Sequence, residues 1–397
     1  MRGNWSRPRG ASAIVYRMKR LFYLGVVLLV IFEVARVYFI MPLPGSQRMR
    51  SIDLAYALHS YRWALRAALG TLILAGAWPA WRGGGWRKIV VPAALAFAGT
   101  AAYGSNVTMS ADRIFIAPTA ITMQPVERNS VAMARLVVGI ASGSEARAYP
   151  VQFIGYHHQV SDTLDGKPVL VTFCTVCRTG RVFSPLVDGR AESFRLVGMD
   201  HFNAMLEDRT TGSWWRQANG EAIVGARTGQ KLEEIPSRQV MLAQWLALYP
   251  RSLIMQADSA LAPRYARDFD YETGRSRSAL TGSDSASWHE KSWVVGITAN
   301  GVSRAYDWNR LLREVAVNDT LGGKPIVLAV AADRRSYFAF VRPDAARRFA
   351  VRNDSLVAGP DAWAFTGRGT APALEPINAS QEFWHSWRTF QPETGRY

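Results

Sequence analysis

The two cysteines of this chain, Cys174 and Cys177, have two residues between them and are the side chains best suited to chemistry. They follow the run KPVLVTF, whose β-branched and aromatic residues predict a strand that ends at the pair. Two thiols at this spacing can bind one metal ion, cycle between dithiol and disulfide, or serve only a structural role. Because the chain has 2 cysteines, any further metal ligand must come from other residue types.

A metal site at the cysteines needs additional ligands, and the nearest candidates are three histidines and a methionine. The full candidate set is Cys174, Cys177, His157, His158 and His201, with Met199 as an additional thioether. Such a set fits a soft ion, so we expect Cu(I) or Zn(II) as the bound metal. The alternative places His157 and His158 at the end of a helix and His201 on a surface loop.

Two other interpretations of the cysteine pair remain open. A redox dithiol needs one thiol with a depressed pKa, and Arg178 and Arg181 supply positive charge nearby. The sequence RTGRVFSP that follows is typical of a turn and a strand, not of the helix that usually activates such a thiol. In the last interpretation, the pair is structural within a non-enzymatic, β-rich interaction module. Covalent haem attachment is disfavoured, because Arg178 stands where that motif requires histidine.

The formal net charge of +16 is concentrated in the first part of the chain. Residues 1–110 hold 14 Lys and Arg against two acidic residues, whereas the rest of the chain holds 33 against 29. The excess positive charge therefore flanks apolar segments, and this distribution favours a membrane over nucleic acid as the partner.

Three apolar stretches, 21–41, 63–81 and 89–107, predict transmembrane helices. Basic residues are dense in the tail 1–20 and in the short loop after the second stretch, which places both in the cytoplasm. Three crossings then put residues 108–397 on the outer side of the cytoplasmic (inner) membrane, facing the periplasm or exterior. The first stretch is expected to be an uncleaved anchor, because no small-x-small cleavage motif follows it.

An internal duplication is visible at an offset of 157 residues. VVGIASGSEARAY (137–149) aligns with VVGITANGVSRAY (294–306), and VSDTLDGKPVLV (160–171) aligns with VNDTLGGKPIVL (317–328). Each copy predicts a hairpin, a short helix (VQFIGYHH or WNRLLREV), a Gly-Lys-Pro turn and a buried strand. The second copy lacks the cysteines, so the scaffold folds without them and the thiols are an addition to it.

The remaining segments have weaker signals. Hairpin turns are predicted at 188–189 and 211–212, and one amphipathic helix is predicted over 237–250. Residues 260–287 are polar and predict a linker or surface loop, and the chain from about residue 344 is expected to be irregular.

The first copy resembles the bacterial and archaeal family called Domain of Unknown Function 3179 over about residues 130–255. The resemblance implies an exported or membrane-anchored protein without a settled biochemical function. The chain departs from the family's Cys-Pro-Leu-Cys-Gly pattern at Thr175, Val176 and Arg178. The matching residues are Ala148, Tyr149, Pro150, His157 or His158, Asp162, Cys174, Cys177, Asp208, Thr211, Gly212, Ser213, Trp215, Gly220, Glu221 and Gly225.

These observations predict an α+β fold, with a β-rich, duplicated extracytoplasmic domain after three transmembrane helices. The expected organisation is a membrane anchor (1–107), a family-like unit with the cysteines (108–259), a linker (260–287) and a second copy with a C-terminal segment (288–397). Partners are the membrane and a metal ion or protein in the periplasm. No hydrolase or phosphate-binding motif occurs, and no catalytic residue is assigned.

Overall fold

The computed structural model describes residues 9–82 and 84–397. Residues 1–8, part of the basic tail used above to assign orientation, lie outside the described residues. The chain divides into two compact units. Unit 1 contains residues up to Ile114 together with Val197–Asp200, and unit 2 contains Phe115–Leu196 and His201–Tyr397.

Unit 1 is helical. Its helices are α1 (Arg9–Tyr38), α2 (Ile52–Ser60), α3 (Arg62–Trp81), α4 (Arg87–Tyr103) and α5 (Ala111–Ile114). Apolar residues of α1, α3 and α4 pack together in one cluster that includes Phe22, Ile73 and Val91.

Among the described residues, two helical segments, Tyr16–Tyr38 and Arg87–Thr108, have the length and apolar composition needed to cross a membrane. The prediction of three such segments is therefore wrong by this criterion. The expected second span, 63–81, does form α3, but Arg66, Pro79 and three tryptophans lower its mean hydropathy. Signal sequences and buried core helices share these properties, so composition indicates a membrane anchor or a signal at the N-terminus.

Unit 2 mixes helices with many short strands in several small sheets. The elements up to the end of copy one are β1 (Met123–Gln124), β2 (Leu136–Ser142), β3 (Glu145–Pro150), α6 (Val151–His157), β4 (Gln159–Leu164), β5 (Lys167–Cys174), β6 (Thr179–Phe183), β7 (Leu186–Val187), β8 (Arg190–Ala191), β9 (Phe194–Asp200, which runs into unit 1), β10 (Asn203–Asp208), β11 (Trp214–Arg216), β12 (Ala222–Val224), β13 (Arg238–Met241), α7 (Leu242–Leu248) and β14 (Leu253–Met255). Copy two contains β15 (Trp293–Ala299), β16 (Val302–Asp307), α8 (Trp308–Glu314), β17 (Ala316–Leu321), β18 (Lys324–Val330), β19 (Tyr337–Val341), β20 (Ala350–Arg352), β21 (Ser355–Ala358), β22 (Asp361–Ala364), β23 (Ala379–Phe383), α9 (Trp384–Phe390) and β24 (Gly395–Arg396).

The two copies share one topology. Copy one has the strand order β14-β3-β2-β13, with β1 beside β14, and copy two has β24-β16-β15-β23. Each copy adds a three-stranded meander, β4-β5-β6 or β17-β18-β19, and a short helix, α6 or α8, as predicted. The two copies also pack against each other. Strand β13 of copy one contacts β19 of copy two, and β23 of copy two contacts β6 of copy one.

The duplication extends to the C-terminus, which corrects two predictions. The segment 237–250 is a strand followed by a helix, because residues 238–241 pair with β2 and only the remainder is free to coil. The C-terminal segment expected to be irregular contains β23 and α9, which correspond to β13 and α7. QVMLAQWLALYP (239–250) aligns with QEFWHSWRTFQP (381–392) at an offset of 142 residues. Because the earlier segments align at an offset of 157, an alignment at that single offset does not show this match.

Three residues shared by the copies form one polar contact. Arg147 donates to Asp162 at 2.5 Å, and the Tyr149 hydroxyl donates to the other oxygen of the same carboxylate at 2.7 Å. These bonds tie the hairpin β2–β3 to β4. The same arrangement in copy two is made by Arg304, Tyr306 and Asp319. The repeated Arg-Ala-Tyr and Asp-Thr-Leu sequences therefore serve the scaffold.

In each copy, a tryptophan packs closely on a glycine and so holds one helix, α7 or α9, against the sheet. The indole of Trp245 on α7 lies directly over Gly139 on β2, and its N–H donates to the Ser252 hydroxyl at 2.7 Å. A side chain at residue 139 would collide with the ring, so the position needs glycine. In copy two the corresponding residues are Gly296, Trp387 and Thr394.

We expect Gly139→Ala to lower the free energy of unfolding by about 1–3 kcal/mol, because the added methyl overpacks the contact with Trp245. Chemical denaturation of the detergent-solubilised chain measures the change. Gly395→Ala is the matched control, since its new methyl meets no atom closer than 3.5 Å. Equal stability of the two variants would show that the indole moves aside freely.

Candidate dithiol site

The cysteines lie at the tip of the hairpin formed by β5 and β6. Cys174 is the last residue of β5 and pairs with Thr179, the first residue of β6. The tip of this hairpin consists of residues 175–178, between β5 and β6. It ends at Arg178, whose φ of 59° is in the left-handed region. The family pattern has glycine at this position, which adopts that conformation without steric penalty. Here Arg178 is buried and stacks on the ring of Trp293 at 3.7 Å.

Every carbonyl of the three tip residues before Arg178 accepts a hydrogen bond from later in the chain. The donors are the Tyr271 hydroxyl to Thr175 (3.0 Å), the Lys291 ammonium to Val176 (2.9 Å) and the Phe383 N–H to Cys177 (2.9 Å). A buried carbonyl without a partner would be strongly destabilising. The connecting segment and copy two therefore close the tip and make its burial possible.

Both sulfurs point toward one oxygen atom. The Cys174 and Cys177 thiols lie 3.5 and 3.3 Å from the carbonyl oxygen of Phe202, and both side chains are 0% exposed free thiols. His201 and Phe202 have φ values of 49° and 67°, a left-handed pair that costs about 1–3 kcal/mol per residue. This strained turn holds the carbonyl against the thiols.

The surroundings shift the pKa values of the two thiols in opposite directions. Burial alone raises the pKa of Cys174, but the hydrogen bond from the Cys177 thiol and backbone N–H groups of Ala204, Cys177 and Val176 outweigh it and lower that pKa. Burial raises the pKa of Cys177 well above its ordinary value, and the adjacent Cys174 raises it further. Of the two thiols, Cys174 therefore has the lower pKa and is the one that loses its proton first.

A lysine and a histidine from copy two complete the site. Burial lowers the pKa of Lys291, while the negative charge of the cysteines opposes that shift. The Lys291 ammonium also donates to the Leu280 carbonyl at 2.6 Å and lies 3.4 Å from Nε2 of His385. Burial, together with the charge of Lys291, lowers the pKa of His385 to about 3, so that its ring is neutral.

The predicted histidine ligands are engaged elsewhere. His157 donates from Nδ1 to the Ile116 carbonyl at 2.5 Å and accepts from the Tyr265 hydroxyl at Nε2, at 2.8 Å. His158 donates to the Tyr156 carbonyl at 3.1 Å, and burial lowers its pKa to about 4. Because both ring nitrogens of His157 are occupied, it has no lone pair left for a metal ion.

The third predicted histidine, His201, lies partly exposed in the turn that precedes β10. Among the described residues, no group of three or more His, Cys, Asp and Glu side chains is placed to hold a metal ion. The predicted Cys/His ligand set is therefore not assembled, although Cys174 and Cys177 do face a common point.

Sequence reasoning missed the residues of copy two that close the site. Lys291, Phe383 and His385 all lie more than 110 residues beyond the cysteines, as the separation of 115 between Lys291 and Val176 illustrates. The duplication was the available signal, because it implied a second copy that could pack against the first.

The fold and the site together define a two-copy, β-rich domain with one buried dithiol. A family model described as "Protein of unknown function (DUF3179)" matches residues 117–394, which include both copies. The chain belongs to this family, and the resemblance seen in copy one extends across copy two. No curated protein and no solved structure matches the sequence.

We expect the replacement of one cysteine to shift the pKa of the thiol that remains. The pKa values measured in the two single variants should therefore differ less than those of the two thiols in the unmodified chain. Cys177→Ala should raise the pKa of Cys174, because a donated hydrogen bond is lost while burial remains. Cys174→Ala should lower the pKa of Cys177, because the adjacent thiolate is removed. Thiolate absorbance at about 240 nm, with the double variant as the blank, measures both values. Identical titration of the two thiols in the unmodified chain would contradict this.

Proposed function

We propose that Cys174 and Cys177 form a redox-active dithiol, with Cys174 as the attacking thiolate and Cys177 as the resolving thiol. The observation that carries the proposal is the convergence of both sulfurs at one buried point, where the Phe202 carbonyl accepts from the Cys177 thiol at 3.3 Å and backbone N–H groups face Cys174. The Lys291 ammonium closes the tip around them. Backbone amides of the tip here provide what a helix N-terminus provides in other redox dithiols.

Complete burial limits the oxidant to a small molecule such as a hydroperoxide. The Cys174 thiolate attacks the peroxide and, with one proton, forms a sulfenic acid and an alcohol. The Cys177 thiol then displaces water from the sulfenic acid, which leaves a disulfide. The oxidised site has lost its negative charge while the Lys291 ammonium stays buried. The reduced form is therefore favoured, and the disulfide is a strong oxidant.

We expect the reduction potential of the pair to lie above about −300 mV, the upper range of structural disulfides. Lys291→Met should lower the potential by about 30 mV or more, since the thiolate loses its counter-charge. Alkylation and mass spectrometry in glutathione buffers measure the reduced fraction. Lys167→Met, at an exposed lysine of β5, is the matched control.

A pair that stays reduced at every potential and in hydroperoxide would refute the redox function.

One observation favours a second function, the binding of a soft metal ion. Two thiolates, one Cu(I) and the Lys291 ammonium would together be neutral, whereas Zn(II) needs four ligands that the described residues do not assemble. Stoichiometric copper in the reduced protein, lost in Cys174→Ser, would support that alternative.

We propose further that α3 crosses the membrane beside α1, despite its lower mean hydropathy. Gly76 packs against the backbone at Met18 and Phe22, so the two helices are in close contact near one end. At the other end Arg66 donates to the buried Glu33 carboxylate at 2.6 Å, and this carboxylate, which Arg36 shares, compensates part of the charge on α3. A helix paired along a spanning helix shares its environment, and small residues and internal ion pairs are typical of such contacts.

With α3 as a third crossing, residues 115–397 lie on the opposite side from the N-terminus, in the periplasm or exterior. We expect alkaline phosphatase fused at Tyr397 to be active, because that enzyme folds only where its disulfides form. The same reporter inserted at Gly84, between α3 and α4, should be inactive and serves as the control. An inactive Tyr397 fusion of normal abundance would place unit 2 in the cytoplasm.

A further inference from the structure

A cavity of about 190 Å³ lies between the two copies, away from the dithiol. Copy one contributes Gly139, Arg238 and Trp245 to its wall, and copy two contributes Phe338, Ile377 and Asn378. We call it the inner cavity, because a second cavity of about 440 Å³ adjoins it and shares Ala141, Tyr249 and Thr366 with it. The inner cavity is large enough for one aromatic ring with a single polar substituent.

Among the described residues that line the inner cavity, Arg238 alone is charged. Its guanidinium donates to the Phe365 carbonyl at 2.8 Å and lies 5.5 and 5.8 Å from the rings of Phe338 and Phe340. Within the part of the chain that the structure describes, no carboxylate lies within ion-pair distance of it. Burial lowers the pKa of Arg238, and Tyr249 opposes that shift, whereas no carboxylate of the described residues does so.

Other buried arginines of unit 2 are compensated by the chain itself. Arg181 pairs with Glu234 at 2.9 Å and with Glu382 at 2.7 Å, and Arg135 pairs with Glu272 at 2.8 Å. A desolvated charge is tolerated when a partner accompanies it. The chain therefore compensates these two arginines with carboxylates.

Arg178 and Arg342 are buried without a carboxylate, but each donates to three or more oxygens. Arg238 donates to one oxygen among the described residues, the Phe365 carbonyl.

The adjoining cavity has the same charge character. Arg251 and Arg368 lie in its wall, and no acidic residue lines either cavity in the described chain. Asp165 lies at the rim, where it accepts from the Ser142 hydroxyl at 3.3 Å. Inside that rim, the charged residues of both walls in the described chain are arginines.

From this geometry we propose that the cavity binds a small organic anion. Its carboxylate or phosphate group pairs with Arg238, and its flat apolar part lies against Tyr249 and Ile377, which line the cavity and are partly exposed. A guanidinium donates two parallel hydrogen bonds to either group, and its partial desolvation strengthens the pair. The proposal is independent of the dithiol, because none of the cysteines lines the cavity.

The test uses benzoate and phenyl phosphate as probes and neutral benzamide as the isosteric control. Calorimetric titration of the full chain in detergent measures each affinity. We expect at least one anion to bind about tenfold or more tightly than benzamide, and Arg238→Gln to remove that preference. Arg238→Lys should retain part of it, since the charge remains. Arg209→Gln, at an exposed arginine between β10 and β11, should change nothing.

The ratio of the two anion affinities identifies the acidic group that the cavity accepts. Equal binding of benzamide and both anions would overturn the proposal, as would the absence of binding up to about 20 mM. An anion preference that survives in a folded Arg238→Gln, with an unchanged melting temperature, would overturn it as well.

Discussion

Burial of a hairpin tip is the constraint on which this structure depends. The four residues between β5 and β6 contain three carbonyls that sheet pairing does not satisfy, together with the Cys177 thiol, and Cys174 precedes them at the end of β5. Tyr271, Lys291 and Phe383 satisfy the carbonyls from the connecting segment and copy two. The dithiol therefore exists as a buried site only because the second copy is packed against the first.

This dependence explains why duplication and divergence occur together. Both copies keep the Arg-Asp-Tyr contact and the glycine beneath a tryptophan, so each retains the scaffold. Copy two lacks thiols but supplies a buried ammonium and a neutral His385 to the thiols of copy one. The connecting segment, expected to be a linker or surface loop, also has a structural role, since its Glu272 pairs with Arg135.

Charge is handled by the same principle in both units. Glu33 accepts from Arg36 and Arg66 within the helical cluster of unit 1, and Arg181 is held by two carboxylates in unit 2. Each pairing offsets the desolvation of a charged group that the fold has buried. At Arg238 the compensation is missing, and at Cys174 it is provided across the boundary between the copies. These exceptions are where ligand binding and redox chemistry are best supported.

The sequence by itself determined the features that depend on local pattern. The hairpins, the helices α6 and α8, the duplication and the cysteine turn follow from alternation, turn residues and direct similarity. The apolar pattern predicted three spans, whereas Arg66, Pro79 and three tryptophans lower the mean hydropathy of α3. The pairing of Arg66 with Glu33 is a tertiary contact that hydropathy does not register. Proximity in the sequence suggested His157 as a ligand, but its ring is bonded to Ile116 and Tyr265. Only the tertiary structure decided which side chains meet the thiols, because contacts between residues more than 100 positions apart leave no local pattern.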